Sequence, residues 1–476
     1  MQNLVSPTLL SQNTSWDPHF HFYKLGHWIN DPNGLFYLNG KYHLFFQLNP
    51  DATVWGNMHW GAAESIDLIT WKHKPMALYA EPEGLGYIFS GGAVVDINNT
   101  SGFGIDDIPP VIATFTQQSV QEEQVQSIAF SVDGGDNFTM FEQNPVIANP
   151  GLKDFRDPKV VWFDGQDEQY WVKAVVAGQC VHFYKSTDLK KWTKLSEFGE
   201  NIGAHGGVWE CPDLFPLRCH KTGLERWVLL ISINPGGPNG GSATQYFIGN
   251  FDGVEFTSQD KETRWLDHGT DCYAGITWDN TPNILEERLY TAWMSNWNYA
   301  NDTPDDRWRG AMTLPRKIKL SKSNGSYCLL TPAFPDFDAC GTQEVQFESG
   351  HSLPQAYKLA LNVSPKEAET NIVWTNEKDE VFSISINLAD KKITVDRSQA
   401  GFSEKGFNST LSIPIVFNTN DTIHLEVYAD TCSFECFFND GEQCITTLVF
   451  PSLPFSGLDI SEHVNNVIIK NLEALA

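Results

Sequence analysis

The chain has 476 residues, more than one hydrophobic core usually serves, so two domains are expected. Its formal net charge of −27 argues against nucleic acid and anionic membrane surfaces as partners, because both are bound through basic patches. No apolar run has the length of a membrane span, and the nine cysteines are scattered without CxxC pairs. We therefore expect no metal site, no cofactor and no disulfide framework.

The N-terminal residues 1–19 are treated as an extension. Residues 1–18 lack a basic region and an apolar region, so no signal peptide is visible there. The protein is expected either in the cytoplasm or outside the cell after removal of a leader, and Asn-X-Ser/Thr sequons favour the secreted alternative. These sequons begin at Asn13, Asn98, Asn99, Asn137, Asn301, Asn324, Asn362, Asn408 and Asn420.

The first notable stretch is residues 27–34, His-Trp-Ile-Asn-Asp-Pro-Asn-Gly. It precedes two apolar runs joined by Asn39 and Gly40, a dipeptide that predicts a β-hairpin. Pro32 favours an extended backbone at Asp31, and the Asn-Gly pair that follows supplies a turn. We expect a loop that holds the Asp31 carboxylate rigidly. This stretch alone favours a catalytic role and a turn-capping role equally.

A short turn motif then repeats through the first two thirds of the chain. Residues 65–71, Ser-Ile-Asp-Leu-Ile-Thr-Trp, recur as Ser-Thr-Asp-Leu-Lys-Lys-Trp at 186–192, with weaker copies around Asp133 and Asp252. Successive aspartates are 55 to 66 residues apart, the size of a four-stranded propeller blade with long loops. The aspartates are expected to cap the same outer turn in each blade. Over residues 20–335 this period predicts an all-β, five-bladed propeller.

The character of the sequence changes near residue 335. Only one tryptophan follows Trp308, and residues 336–345 are expected to form a linker. Alternating apolar and polar residues at 357–363, 381–387, 423–428 and 433–438 predict strands with one buried face. Residues 346–476 are therefore expected to form a β-sandwich that mainly stabilises the protein, with a homodimer through this domain as an alternative.

Two further acidic motifs lie in the propeller region. Residues 155–159 read Phe-Arg-Asp-Pro-Lys, and Arg156 is expected to hold the pKa of Asp157 low, although a plain ion pair is an equal alternative. Residues 209–215 read Trp-Glu-Cys-Pro-Asp-Leu-Phe. Apolar enclosure is expected to raise the pKa of Glu210, as a general acid requires. Cys211 is expected to be a small buried filler.

The inner strands of a propeller converge on its axis, so motifs in different blades can share one site. Two carboxylates are the minimal equipment for glycosidic hydrolysis. The three motifs, in this order and spacing, resemble glycoside hydrolase family 32, the β-fructofuranosidases, which include invertases, exo-inulinases and levanases. Supporting stretches lie at residues 45–50, 55–60, 89–91, 231–236 and 292–297.

The resemblance implies a five-bladed propeller followed by a β-sandwich. It makes Asp31 the nucleophile, Glu210 the general acid/base and Asp157 the acid that holds fructose hydroxyls and stabilises the transition state. Trp55 and Trp297 have the alternative of being core aromatics. The family commonly has serine where this chain has Gly92, which is expected to loosen the pocket wall. The implied fructose-binding residues are Asn30, Gln47, Trp55, Phe89, Ser90, Arg156 and Trp297.

The resemblance implies a retaining, exo-acting hydrolase whose partners are sucrose and short fructo-oligosaccharides. A retaining mechanism places the carboxyl groups of Asp31 and Glu210 roughly 5–5.5 Å apart. One alternative is a fructosyltransferase that makes fructo-oligosaccharides from sucrose. Another is a non-catalytic sugar-binding propeller, which the presence of all three acids disfavours.

Overall fold

The computed structural model describes residues 16–472 except 324, 338–340, 342–343, 348–351, 366–368, 405 and 408. The described strands form seven sheets, and every paired strand within them runs antiparallel to its neighbour. Five sheets precede residue 331 and two follow it. The predicted all-β architecture is therefore confirmed.

Each of the first five sheets is a meander whose strands follow one another in chain order, with a short extra strand in the fourth and fifth. A 3₁₀-helix, Ala300–Asp302, lies in a loop between two strands of the fifth sheet. The first three sheets contain β1 (Trp28–Leu38), β2 (Lys41–Asn49), β3 (His59–Ser65), β4 (Lys72–Leu78); β5 (Tyr87–Val95), β6 (Val111–Gln118), β7 (Gln124–Ser131), β8 (Thr139–Met140); and β9 (Phe155–Asp164), β10 (Gln169–Ala177), β11 (Val181–Ser186), β12 (Thr193–Phe198). The fourth and fifth contain β13 (Val208–Arg218), β14 (Glu225–Asn234), β15 (Ala243–Phe251), β16 (Phe256–Ser258), β17 (Arg264–Trp265); and β18 (Tyr273–Thr277), β19 (Arg288–Met294), β20 (Ala311–Met312), β21 (Arg316–Ser323), β22 (Ser326–Leu330).

The first strands of these five sheets form a closed ring. β1 contacts β5, β5 contacts β9, β9 contacts β13, β13 contacts β18, and β18 contacts β1 again. Backbone hydrogen bonds join the last blade to the first, including Asp279 N to Leu35 O at 2.9 Å. A strand inside such a ring has neighbours on both faces, and nine of the eleven residues of β1 are buried. The five sheets are thus the blades of a propeller.

The repeated turn lies where the sequence places it, between the third and fourth strands of each of the first four blades. The Asp67 carboxylate accepts the backbone N–H groups of Ile69 and Thr70 at 2.9 and 2.8 Å. Asp188 accepts those of Lys190 and Lys191 at the same two distances. The prediction that these aspartates are structural caps is confirmed.

The last two sheets pack face to face as a β-sandwich. Their strand orders are β23-β33-β24-β29-β30-β31 and β28-β27-β26-β25-β32. Buried and half-buried residues alternate along β26, and the buried set forms one core between the sheets. The strands are β23 (Val345–Gln346), β24 (Tyr357–Val363), β25 (Glu369–Thr375), β26 (Val381–Asn387), β27 (Lys392–Gln399), β28 (Thr410–Pro414), β29 (Ile423–Asp430), β30 (Ser433–Phe438), β31 (Gln443–Leu448), β32 (Gly457–Ile460) and β33 (Asn465–Asn471).

A buried ionic network joins the sandwich to the propeller. The Arg316 guanidinium lies 2.8 Å from Asp267 and 2.5 Å from Glu435. His21 bridges Glu435 and Asp430 at 2.9 and 2.8 Å. Burial alone would lower the pKa of His21, but the hydrogen bonds to these two carboxylates raise it to about 9. The imidazolium therefore fixes residues near the N-terminus against the sandwich.

Parts of the sequence prediction fall outside the described residues. They are residues 1–15 of the extension, much of the linker, and the sequon asparagines Asn13, Asn324 and Asn408. The predicted domain limits stay predictions. The eight cysteines in the described part of the chain are free. No helix within the described ranges combines the length and apolarity needed to cross a membrane.

Candidate active site

Each of the five inner strands carries one extra residue at the same height of the propeller. The register with the second strand slips between Ile29 and Pro32 in β1, and at matching places in β5, β9, β13 and β18. Asp157 and Cys211 adopt positive φ at these β-bulges, at 62° and 47°. A bulge tolerates proline and re-aims side chains. Asp31 therefore lies within a bulged strand, and the prediction of a loop was wrong.

The bulges surround a pocket of about 390 Å³. All ten residues that the sequence nominated line this pocket. Eight of them lie on strands of the first four blades, and Trp55 and Trp297 lie in loops between strands. The nominated residues are Asn30, Asp31, Gln47, Trp55, Phe89, Ser90, Arg156, Asp157, Glu210 and Trp297. Six further residues line the pocket and were not predicted from the sequence: Met58, Gln118, Glu122, Gln124, Lys153 and Asp154.

Asp31 is buried and held by two side-chain donors. Asn30 Nδ2 donates to Oδ1 at 2.9 Å, and Ser90 Oγ donates to Oδ2 at 2.6 Å. Trp28 Nε1 donates to Oδ1 of the Asn30 side chain at 2.7 Å, which fixes the orientation of that amide. Burial and the charge of Glu210 raise the pKa of Asp31, while the bonds from Ser90 and Asn30 lower it. The donors therefore partly offset the cost of keeping this carboxylate ionised.

Asp157 is more deeply buried than Asp31, with 4% of its surface exposed against 9%. Burial raises its pKa to about 7, the Arg156 charge opposes this, and Glu210 and Asp31 add to it. Our prediction that Arg156 keeps this pKa low was wrong. The guanidinium bonds to Asp154 at 2.7 Å and Glu210 at 2.9 Å instead, so its charge offsets the enclosure of Asp157 only in part.

Glu210 has a polar surrounding, not the apolar enclosure that we expected. Its side chain is 21% exposed, and Oε1 accepts a hydrogen bond from Arg156 Nη2 at 2.9 Å. The Tyr273 hydroxyl donates to Oε2. Burial raises the pKa of Tyr273 far above its usual value, so this hydroxyl remains a donor. Both oxygens of Glu210 are therefore held in one orientation.

Tyr273 is a site residue that the sequence analysis missed. It begins the inner strand of the fifth blade, next to a bulge at which Ala274 has a φ of 55°. The segment contains neither the proline nor the acid that marks the motifs around Asp31, Asp157 and Glu210. The only local signal is the small Ala-Gly pair after an aromatic residue, which is consistent with a bulge.

Cys211 separates two of the acids. Its Sγ lies 3.7 Å from a carboxylate oxygen of Asp31 and 3.7 Å from one of Asp157. Burial and these negative charges raise the pKa of the thiol well above its usual value. A neutral thiol is a poor nucleophile, so Cys211 is a small weak donor at the pocket floor, in agreement with its predicted filler role.

Aromatic side chains form the pocket entrance. Trp55 is 45% exposed, and its ring lies 6.4 Å from Trp297 and 6.3 Å from Phe89 in edge-to-face contacts. Trp297 is half-buried and stacks on Trp28 at 5.9 Å. The alternative that Trp55 and Trp297 are core residues was wrong. Their rings give an apolar wall beside polar groups, as small-molecule pockets usually have.

The space beside Gly92 is filled by a buried lysine. A Cβ at Gly92 would lie 2.7 Å from Cδ of Lys159, so the lysine stem fills the space that a serine would need. Lys159 Nζ donates to Thr277 O at 2.7 Å and lies 3.8 Å from Asp213. The expectation that Gly92 loosens the wall was therefore wrong.

The fold and the pocket define a carbohydrate-active enzyme, because carboxylates from several propeller blades meet beside an arginine and aromatic walls. Residues 21–332 match the glycosyl hydrolases family 32 N-terminal domain, and residues 330–475 match the glycosyl hydrolases family 32 C-terminal domain. The chain belongs to glycosyl hydrolase family 32 and is a glycoside hydrolase.

Relatives and solved structures agree with this assignment. A levanase of Bacillus subtilis is 40% identical, over 96% of this chain and 69% of the relative. An extracellular exo-inulinase of Aspergillus niger is 34% identical, over 91% of this chain and 89% of the relative. The crystal structure of an exo-inulinase from Aspergillus awamori superposes with a TM-score of 0.86 at 33% identity, covering 97% of this chain and 98% of the other.

Proposed function

We propose that the chain is a retaining, exo-acting β-fructofuranosidase that hydrolyses terminal β-D-fructofuranosyl units of sucrose and short fructans. The observation that carries this proposal is the convergence of Asp31, Asp157 and Glu210 from three blades on one pocket. The levanase and exo-inulinase relatives support fructans as the substrate class. The predicted distance between the attacking and protonating carboxyl groups stays a prediction.

In the first step, an oxygen of Asp31 attacks the anomeric carbon of the terminal fructosyl unit. The glycosidic bond breaks as Glu210 gives its proton to the leaving oxygen, and a fructosyl ester of Asp31 forms. In the second step, Glu210 takes a proton from a water molecule that attacks the same carbon, and Asp31 is released as a carboxylate. Asn30 and Ser90 support this cycle because they bind both oxygens of the departing carboxylate.

Asp157 and Arg156 act on the fructosyl unit and on Glu210, respectively. The transition state is oxocarbenium-like, so a nearby carboxylate stabilises its positive charge. The backbone N–H of Cys211 donates to Asp157 Oδ2 at 3.0 Å, which fixes that oxygen at the pocket floor. Arg156 and Tyr273 hold the Glu210 carboxyl, so the proton is delivered from a defined position.

The shape of the pocket supports exo action. Buried Asp31 and Asp157 form its inner end, and Trp55 and Trp297 flank its entrance. A pocket of about 390 Å³ accommodates a terminal sugar and part of its leaving group. An internal unit of a long chain would need a groove open at both ends.

Two substitutions test the assignment of the acids. We expect Asp31→Ala to abolish sucrose hydrolysis, because no other group would form the ester. We expect Glu210→Ala, assayed with a fructoside whose leaving group departs without protonation, to regain turnover with azide, which needs no general base, and to yield a fructosyl azide of retained configuration. Asp188→Asn, which changes a turn cap outside the pocket, is the matched control and should keep kcat. Substantial activity in Asp31→Ala would overturn the proposal.

Product analysis separates hydrolysis from transfer. At high sucrose concentration, a hydrolase releases glucose and fructose in equal amounts. An excess of glucose together with accumulating kestose would replace the hydrolase by a fructosyltransferase. The same assay with inulin and levan measures preference for chain length and linkage.

Location and assembly are further parts of the proposal. The extracellular exo-inulinase relative and the sequons support a protein that acts outside the cell, and glycan analysis of the native protein tests this. A homodimer through the sandwich is proposed with it, and exposed Val345 and Val416 are apolar contacts that such an interface could use. Light scattering in solution gives the mass, and a monomer at all concentrations would exclude the dimer.

A further inference from the structure

The outer strands of the third blade hold a cluster of three side chains with metal-binding atoms, outside the pocket. Cys180 lies in the turn after β10, His182 follows in β11, and Glu197 lies directly opposite His182 in β12. The thiol sulfur, an imidazole nitrogen and a carboxylate oxygen all lie within 4.8 Å of one another. His182 Nε2 and Glu197 Oε1 are 3.4 Å apart.

Strand pairing brings these groups together. His182 and Glu197 lie directly opposite each other in β11 and β12, so their side chains share a face, and the Cys180 sulfur lies within 4.8 Å of a ligand atom of each. The pairing of β11 with β12 slips between Ser196 and Lys194, which makes Leu195 an extra residue. Lys194 and Glu197, three residues apart, can then both lie beside His182. Sequence spacing alone gives no sign of this site, and our expectation of no metal rested on spacing.

We propose that Cys180, His182 and Glu197 bind one divalent transition-metal ion of the zinc class. Thiolate and imidazole are ligands for such ions, whereas calcium and magnesium take oxygen ligands. Tetrahedral zinc bonds place the donor atoms about 3.5 Å apart. His182 Nε2 and Glu197 Oε1 already match this at 3.4 Å, and the pairs that include the Cys180 sulfur, at most 4.8 Å apart, need to close by no more than about 1.3 Å. The Glu197 side chain is 55% exposed and is free to make this movement. Water supplies the remaining ligand.

Lys194 competes with the metal ion for this site. Its Nζ lies 3.3 Å from His182 Nε2, and the ammonium also contacts the Glu197 carboxylate. A positive charge is therefore already held between two of the three ligands. The Lys194 side chain is 40% exposed, so the metal ion can displace it into solvent. Removal of this ammonium should strengthen metal binding.

The site is separate from the catalytic groups but close to their strands. Gly178 N donates to Asp154 O at 2.8 Å, and Gly178 O accepts the N–H of Trp209 at 2.9 Å. The turn that precedes Cys180 is thus hydrogen-bonded to the segment that carries Arg156 and to the segment that carries Glu210. None of the three metal ligands lines the pocket. The ion would tie the outermost strand β12 to β11, so it should stabilise the fold without being needed for hydrolysis.

Titration of the chelator-treated full chain with Co²⁺ and then Zn²⁺ tests this site. We expect one Co²⁺ per chain with a thiolate-to-cobalt charge-transfer band, displacement by Zn²⁺, and a higher Tm with either ion. Cys180→Ser should lose the band and His182→Gln should weaken binding at least about 10-fold. Lys194→Met should bind more tightly than the unchanged chain. Such a gain cannot arise from misfolding.

Two variants serve as matched controls. Cys328→Ser removes another half-exposed thiol, and His205→Gln removes an exposed imidazole on the same blade region. Both should keep the band and the affinity. The proposal is overturned if no band forms at millimolar Co²⁺, if the band persists in Cys180→Ser, or if Lys194→Met binds no more tightly.

Discussion

Replacement of Ser90 by alanine would show how the pocket sets the ionisation of Asp31. Ser90 Oγ donates to Asp31 Oδ2 at 2.6 Å, and the other side-chain contact of that oxygen among the described residues is the weak one from the Cys211 thiol at 3.7 Å. A hydrogen bond to a charged group contributes about 1.5–3 kcal/mol. Since about 1.4 kcal/mol corresponds to one pH unit, the acidic limb of kcat/KM should move up by about one to two units.

The direction of this change follows from the role of Asp31. Burial and the Glu210 charge already raise the pKa of Asp31, and the hydrogen bond from Ser90 is the largest of the contributions that lower it. Its loss raises this pKa further. Because an attacking carboxylate must be ionised, activity should disappear at a higher pH as the solution is acidified. The loss in Ser90→Ala should therefore be largest at acidic pH and smaller toward neutral pH.

The measurement is the pH profile of kcat/KM for sucrose. Ser127→Ala is a matched control, because the Ser127 hydroxyl is buried and has no hydrogen-bond partner among the described residues. It removes the same atom from the same blade without removing a bond. A uniform loss across the pH range in Ser90→Ala, or an equal shift in Ser127→Ala, would refute the reasoning.

Two stability predictions concern buried lysines. Lys173 is fully buried over Trp192, and burial lowers its pKa to about 7. This shift corresponds to a cost on the order of 5 kcal/mol for protonating Lys173 in the folded state below pH 7. The cost fades as the pH rises toward 10.5. Lys173→Met should therefore raise Tm most at pH 6 and least at pH 10, whereas a gain independent of pH would contradict this. Gly92→Ser should lower the free energy of unfolding by about 1–3 kcal/mol through overlap with Lys159, and unchanged thermal unfolding would exclude that overlap.

Local chemistry explains why much of the fold could be predicted. The capped turns at Asp67 and Asp188 depend on hydrogen bonds to residues two and three positions onward, so the sequence contains the whole interaction. Their spacing then gave the blade size. Asp31 and Asp157 each precede a proline, and prolines within inner strands mark bulges, which made these acids recognisable as motifs.

Contacts between blades explain what could not be predicted. Arg156 is adjacent to Asp157 in sequence, yet it bonds to Glu210 on the next blade. Burial therefore outweighs the charge of Arg156 and raises the pKa of Asp157. Tyr273 contacts Glu210 across 63 positions of sequence, and Lys159 fills the space beside Gly92. These contacts exist only after the propeller closes.

The β-bulges connect the closure of the propeller ring to the geometry of the active site. A bulge leaves a backbone N–H without its ladder partner, and a buried N–H needs another acceptor. In the second to fifth blades the acceptor is a side chain of the preceding blade, at 2.9 to 3.1 Å: Gly91 N donates to Asn33, Asp157 N to Thr116, Cys211 N to Asp157 and Ala274 N to Ser232. In the first blade Ile29 N donates to Arg309 O of the last, at 2.9 Å. The same bonds that align neighbouring blades thus fix the backbone at the acids, and one of them ends on the Asp157 carboxylate. The positions of the catalytic groups are therefore set by the ring as a whole and not by any single motif.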